Sequence, residues 1–177
     1  MTESTLEIVT IVGARPQFIK AAAVSRAIRE YSAAESDPAL SEAIIHTGQH
    51  YDHNMSGTFF SELEIPEPVV NLGISASSHA AITGQMLEAL EAELCEREPD
   101  IVVIYGDTNT TLAAALAAAK LPCVLAHVEA GLRSFNDQMP EEINRIVADR
   151  VSDVLFVPTA AAIDNLRNEG VAESRIH

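Results

Sequence analysis

Short β-rich apolar runs alternate along this chain with stretches of helical spacing, and that alternation leaves few folds open. Residues 6–12 form the first apolar run, and residues 16–31 follow with Phe18, Ile19, Ala22, Ala23, Ala27 and Ile28 at helical spacing. Further strands are predicted at 43–46, 69–72, 101–105, 123–128 and 154–157, and further helices at 54–63, 78–97, 108–120, 141–151 and 159–169. The run from Ile101 to Tyr105 is apolar at every position, as expected of a strand buried on both faces. The polar stretch 32–41, which contains Asp37-Pro38, is predicted as a loop. Such alternation specifies an α/β fold, a parallel sheet with helices on both faces. The 177 residues suit one domain, and a 47% hydrophobic content supports a packed core. Gly170 closes the last helix and 171–177 head towards a further element, so the end reads as a truncation or as a boundary with a second domain.

Composition removes several function classes. No apolar run approaches the roughly 20 residues of a membrane span, and the polar, acidic start lacks the pattern of a secretory signal. The expected compartment is the cytoplasm. Cys95 and Cys123 are too few for a disulfide scaffold or a Cys-rich zinc site, and both are expected to be small buried hydrophobes. The net charge is −15, from 26 acidic and 11 basic residues, and the lysines are Lys20 and Lys120. Such a surface repels nucleic acid and anionic membranes. An anionic ligand would need local donors: helix N-termini, backbone amides and a few arginines. An acidic, lysine-poor surface is also what a high-salt, halophilic cytoplasm favours.

In open α/β sheets, ligands bind beyond the carboxyl ends of the strands. The residues that follow the predicted strands are polar and glycine-rich: Gly13-Ala14-Arg15-Pro16-Gln17 with Lys20, then Thr47-Gly48-Gln49-His50-Tyr51, Gly106-Asp107-Thr108-Asn109-Thr110, and Glu129-Ala130-Gly131-Leu132-Arg133. Pro140-Glu141-Glu142-Ile143-Asn144-Arg145 comes a little later. One fold rule thus gathers five segments into one cleft. No G-x-G-x-x-G and no phosphate-loop motif is present. Arg15, beside Pro16 at a helix start, is either a solvent-facing charge or an anion contact. Lys20 reads as a surface lysine or as a ligand contact one turn further in. Asp107 is either a helix N-cap or an acid–base group. Glu129 directly follows a buried strand, and Ala130-Gly131 allows backbone to approach closely. Glu141 and Glu142 can complement a helix dipole, and Glu141 can pair with Arg145. His46, His50 and His53 match no zinc spacing, so no metal is expected. His127 and His79 read as structural hydrogen-bonding groups, and His50 as a substrate contact.

In order and spacing these segments resemble the non-hydrolysing UDP-N-acetylglucosamine 2-epimerases over nearly the whole chain. The pair His127-Val-Glu-Ala-Gly-Leu-Arg133 and Pro140-Glu-Glu-Ile-Asn-Arg145 is the most specific part; Ala14 and Gln17 depart from the family's usual G-T-R-P-E. The resemblance implies a Rossmann-like domain, one half of a glycosyltransferase-B-type two-domain fold. Residues 1–177 would be the N-terminal domain, and a C-terminal domain would supply most UDP contacts and a histidine. It implies conversion of UDP-N-acetylglucosamine to UDP-N-acetylmannosamine by elimination and re-addition of UDP, without a cofactor. It assigns acid–base and sugar-positioning roles to Asp107, Glu129 and Glu141, and substrate contacts to Arg15, Lys20, His50, Arg133 and Arg145. It further implies a homodimer contacting through this domain and a product that feeds surface polysaccharide or glycan synthesis. Three other readings stay open: a hydrolysing epimerase, a glycosyltransferase half, and a non-catalytic remnant.

The charge balance makes one prediction on its own. Circular dichroism is expected to show structure in concentrated salt and its loss in dilute buffer, where the Debye length grows and like charges repel across the surface. A fold that persists unchanged in dilute buffer counts against a high-salt origin for this composition.

Overall fold

The computed structural model describes residues 5–34, 37–48 and 57–177. Six parallel strands form one sheet in the order β3-β2-β1-β4-β5-β6. The strands are β1 (Thr5–Val12), β2 (Ala39–His46), β3 (Val70–Asn71), β4 (Ile101–Tyr105), β5 (Val124–Val128) and β6 (Val154–Phe156). The helices are α1 (Arg15–Ala33), α2 (Gly57–Leu63), α3 (His79–Arg97), α4 (Asn109–Ala118), α5 (Pro140–Val151) and α6 (Ala160–Asn168).

Side-chain alternation along the strands sorts the core into two layers. Val9, Ile11, Val102, Ile104 and Leu125 point to one face, where Ile82, Met86, Leu90 and Leu94 of α3 and the alanines of α4 cover them. Ile8, Val12, Val103, Tyr105 and Ala126 point to the other, against Phe18, Ala21 and Ala22 of α1. A strand with both faces covered must be apolar throughout, which is why β4 coincides with its predicted limits. On the α1 face the cover is partial. An apolar groove of about 570 Å³ runs between α1 and the outer strands, lined by Val24, Ile28, Val128, Val154 and Phe156 among others. A third, smaller cluster under α6 contains Ala130, Leu155, Leu166 and Val171.

Several expectations shift. The second strand begins at Ala39, four residues earlier than predicted. Its polar residues are accommodated locally: the Thr10 hydroxyl donates to Glu42 at 2.6 Å, and the Ser32 hydroxyl both donates to and accepts from the Leu40 backbone. Of the predicted helix 54–63, residues 54–56 lie outside the described residues, and the rest forms α2. Cys95 is exposed and Cys123 half-buried, against the expectation that both are core residues. The buried face of α3 runs Ile82, Met86, Leu90, Leu94, and Cys95 falls one step, about 100°, beyond it. The final segment folds back: Ile176 bridges Leu155 in parallel, and the Val157 amide donates to the His177 carbonyl.

Gly13, in the turn out of β1, sits where nothing larger fits. A β-carbon there would lie 2.2 Å from Thr110 Oγ1 and 2.3 Å from Thr47 Oγ1, which are themselves 2.8 Å apart. Gly13→Ala is expected to lower stability by about 1–3 kcal/mol through overpacking, read as a shift in the denaturation midpoint; a wild-type midpoint would show that the two threonines give way freely.

Candidate active site

The loops leaving β1, β4 and β5 and the start of α5 meet at the carboxyl edge of the sheet. A buried amide links the first two. Gln17 Oε1 accepts from the Gly13 and Ala14 amides at 2.8 and 2.9 Å. Its Nε2 donates to the Tyr105 carbonyl at 2.8 Å and lies 3.1 and 3.2 Å from the Thr108 and Thr111 hydroxyls. The carbonyl can only accept, so an amide suits this position and an ionised carboxylate would not. The N-cap of α4 is Thr108, whose hydroxyl accepts from the Thr111 amide. This corrects the N-cap alternative for Asp107, whose carboxylate is left for other contacts.

Two carboxylate–cation pairs result. Glu129 forms an ion pair with Lys20, and each side chain is about one-third exposed (30% and 36%). Both groups stand over Gly106, where a β-carbon would lie 3.3 Å from Glu129 Oε2 and 3.6 Å from Lys20 Nζ. Glu129 adopts φ +75°, a left-handed conformation that costs a non-glycine residue roughly 1–2 kcal/mol. Asp107 Oδ2 accepts from Arg145 Nε at 3.1 Å and Nη2 at 2.7 Å, and the Asn144 amide donates to the Asp107 carbonyl at 2.8 Å. The Arg145 partner on its own helix is Glu142, not Glu141. Glu141 is exposed and lines a cavity of about 530 Å³ together with Asp107, Asn109, Asn144, Ser78 and His79.

The predicted residues thus divide. Asp107 and Glu141 line the cavity, Arg145 pairs with Asp107, and Glu129 and Lys20 stand over Gly106. Arg15 is the exposed first residue of α1. The Arg133 side chain is 1% exposed and turned towards Asp149 and Glu169. His50 lies outside the described residues. His127 and His79 make the hydrogen bonds expected of them, to Asp149 and Gly106 and to Asn109 respectively. No group of three or more His, Cys, Asp or Glu able to hold a metal occurs among the described residues.

Glu142 and Asn144 emerge only from the structure. The Glu142 carboxylate, buried at the start of α5, accepts from the Ser134 amide at 3.0 Å and the Phe135 amide at 2.9 Å. It thereby holds Phe135 at φ +56° with its ring 79% exposed. A sequence signal existed, since a second acid directly after Pro140 is more than a helix dipole requires. Burial alone would push the Glu142 carboxyl up. The Ser134 and Phe135 amides and the Arg145 guanidinium outweigh that and hold it below the usual range. A carboxyl held low contributes its full stability above the unfolded value, about 4.3, and loses it as pH falls through the folded value. Glu142→Gln is expected to cost about 1.5–3 kcal/mol at neutral pH, the scale of hydrogen bonds to a charged group. Its denaturation midpoint is also expected to depend less on pH below that value than the wild-type midpoint does. Parallel pH profiles would assign the acid sensitivity elsewhere.

Comparison with known proteins identifies the family and the fold. The sequence model of the UDP-N-acetylglucosamine 2-epimerase family matches residues 32–177. The chain is 57% identical, over 93% of its length and 45% of the relative's, to the UDP-2,3-diacetamido-2,3-dideoxy-D-glucuronate 2-epimerase of Pseudomonas aeruginosa. The crystal structure of Methanocaldococcus jannaschii UDP-GlcNAc 2-epimerase in complex with UDP-GlcNAc and UDP superposes with a TM-score of 0.89 at 46% identity, covering 97% of this chain and 46% of that one. A lipopolysaccharide outer core galactosyltransferase, WaaB in its apo form, shares the fold alone, with a TM-score of 0.68 at 15% identity over 97% of this chain and 44% of that one. The chain spans less than half the length of these relatives, as one Rossmann-like half of a two-domain glycosyltransferase-B-type fold does. By family match, identity and fold, this chain belongs to the UDP-N-acetylglucosamine 2-epimerases.

Proposed function

We propose that a full-length enzyme containing this domain interconverts UDP-N-acetylglucosamine and UDP-N-acetylmannosamine without hydrolysis. The observation that carries this reading is the pairing of Glu129 with Lys20 and of Asp107 with Arg145 at adjacent strand ends. The hydrogen on carbon 2 of the sugar is weakly acidic, so its removal needs a positioned base. In the forward direction the carbon 2–hydrogen bond breaks, the carbon 1–oxygen bond breaks, and UDP leaves with the electron pair. A glycal with a double bond between carbons 1 and 2 remains. Re-addition of UDP at carbon 1 and a proton on the opposite face of carbon 2 restores the sugar with inverted configuration. Two acid–base groups are therefore required, and Asp107, Glu129 and Glu141 are the candidates.

The departing diphosphate needs positive charge. In a chain of net charge −15 that charge is local: Lys20, Arg145, and Arg15 at the start of α1. A diphosphate that takes Lys20 as counter-ion would release the Glu129 oxygen for proton transfer. Arg133, held by Asp149 and Glu169, would contribute by ordering the loop that follows Glu129. The remainder of the UDP site would come from a second domain, in keeping with relatives more than twice as long. The family resemblance supports a homodimer in the cytoplasm, and no helix among the described residues is long and apolar enough to cross a membrane.

A second substrate has a specific observation in its favour. The relative at 57% identity is named for a 2,3-diacetamido uronate rather than for N-acetylglucosamine. The chemistry at carbon 2 is the same, and the two substrates are separated by comparing kcat/KM for each.

The first experiment follows deuterium incorporation at carbon 2 by NMR in heavy water. Glu129→Gln in the full-length enzyme is expected to abolish exchange while UDP still binds. Near-normal turnover in that variant would remove Glu129 from the chemistry, and release of free N-acetylmannosamine by the unaltered enzyme would make the reaction hydrolytic.

A further inference from the structure

Behind the site lies a row of ionisable side chains that the chemistry at carbon 2 does not touch. His127 on β5 and Asp149 on α5 are buried, at 0% and 1% exposure. His127 Nδ1 lies 2.7 Å from Asp149 Oδ1, and His127 Nε2 lies 2.7 Å from the Gly106 carbonyl oxygen. Asp149 Oδ2 accepts from Arg133 Nη1 at 2.7 Å and from the Gly131 amide at 3.0 Å. Arg133 in turn donates to both oxygens of Glu169 at 2.7 Å.

The placement of hydrogens follows from which atoms can donate. A carbonyl oxygen only accepts, so Nε2 carries a proton. Burial alone would push the Asp149 carboxyl up, but the contacts with His127 and Arg133 outweigh it and hold it below the usual range. Arg133 Nη1 and the Gly131 amide both donate to Asp149 Oδ2, which leaves Oδ1 facing His127 Nδ1. Arg133 lies between the carboxylates of Asp149 and Glu169, in a place where a lone charge would be costly.

We infer that His127 is a positioning residue whose Nε2–H holds the Gly106 carbonyl and so fixes the backbone of Asp107 relative to that of Glu129. The inference rests on the reading of Asp107 and Glu129 as acid–base groups. The mechanical link is short. The β4–β5 ladder ends with Tyr105 opposite Val128. Beyond it the Gly106 amide donates to the Val128 carbonyl at 3.0 Å, and the Gly106 carbonyl is taken by His127. Asp107 follows immediately on one strand, and Glu129 lies two residues after His127 on the other. Gly106 at φ +64° and Glu129 at φ +75° both turn sharply here, so the ladder alone does not set their separation. The groups facing His127 are Asp149 from α5 and the Gly106 carbonyl from the β4 turn, with Arg133 behind Asp149.

The test uses the full-length enzyme with ¹⁵N-labelled histidine and the variants His127→Phe and His127→Gln. Wild-type enzyme is expected to show His127 Nε2 protonated, assigned by the signal lost in the variants. His127→Phe is expected to lower kcat on the order of 100-fold, the scale of a small misplacement of reacting groups, with KM changed less than about twofold. It should also speed hydrogen exchange at the Gly106 amide. His127→Gln, which keeps one donor for the Gly106 carbonyl, should recover part of both losses; if His127→Phe does not fold, His127→Gln alone should show both effects in weaker form. An unprotonated Nε2 in the wild type overturns the inference, as does a folded variant with wild-type kcat and wild-type exchange. If the wild-type enzyme leaves UDP-N-acetylglucosamine unchanged, the proposed reaction fails. The histidine spectrum and the amide exchange then still decide the role of His127.

Discussion

The pairing of β1 with β4 is the constraint on which everything else rests. Thr10 lies opposite Val103 there, and the strand order runs outward in both directions from that seam. Helix α1 leaves β1 on one face of the sheet and α4 leaves β4 on the other, so the two chains part just beyond the seam and open a cleft. The cleft is held at its base by one side chain. Gln17 bonds the amides of the first turn and the carbonyl that ends β4 at once. Secondary structure thus creates the opening, and a single satisfied amide keeps its width.

Charge is distributed with the same economy. The chain is strongly acidic, yet three basic side chains near the strand ends are met by carboxylates: Lys20 by Glu129, Arg145 by Asp107 and Glu142, Arg133 by Asp149 and Glu169. Before an anionic ligand arrives, positive charge at this edge is neutralised locally. Pairs that are partly exposed can exchange partners at little cost, because water screens both states. Pairs that are buried cannot, because separating them strands a charge. Lys20 and Glu129 belong to the first kind, Arg133 and Asp149 to the second. The difference separates residues suited to meeting a ligand from residues suited to holding shape.

How much was legible in the sequence follows from which forces are local. β4 could be read directly, because a strand covered on both faces admits only apolar residues. The first half of β2 could not, because Glu42 inside a strand is accommodated by a hydrogen bond from the Thr10 hydroxyl on the neighbouring strand, and that is a fact about a neighbour. Cys95 was misjudged because one step on a helix separates core from solvent, and composition alone carries no phase. At the site, the strand-end rule located Gly106, Asp107 and Glu129. Their cationic partners arrive from distant elements, and no spacing rule connects Glu129 to Lys20. Asp149 was invisible for a further reason. An acid in an amphipathic helix ordinarily faces water, and only the fold shows this one facing His127.

The backbone at Glu129 has a consequence for how this position can vary. Its left-handed conformation is disfavoured for every residue with a β-carbon and comfortable for glycine. Selection for stability alone would therefore push position 129 towards glycine, and each such replacement would relieve the main chain while erasing the carboxylate. A glutamate here carries a backbone cost that a glycine would not. In a copy of this gene released from any requirement for activity, position 129 should be among the first to drift, and the drift should make the protein sturdier. A stable domain carrying glycine at that position would record lost chemistry more reliably than a damaged core would.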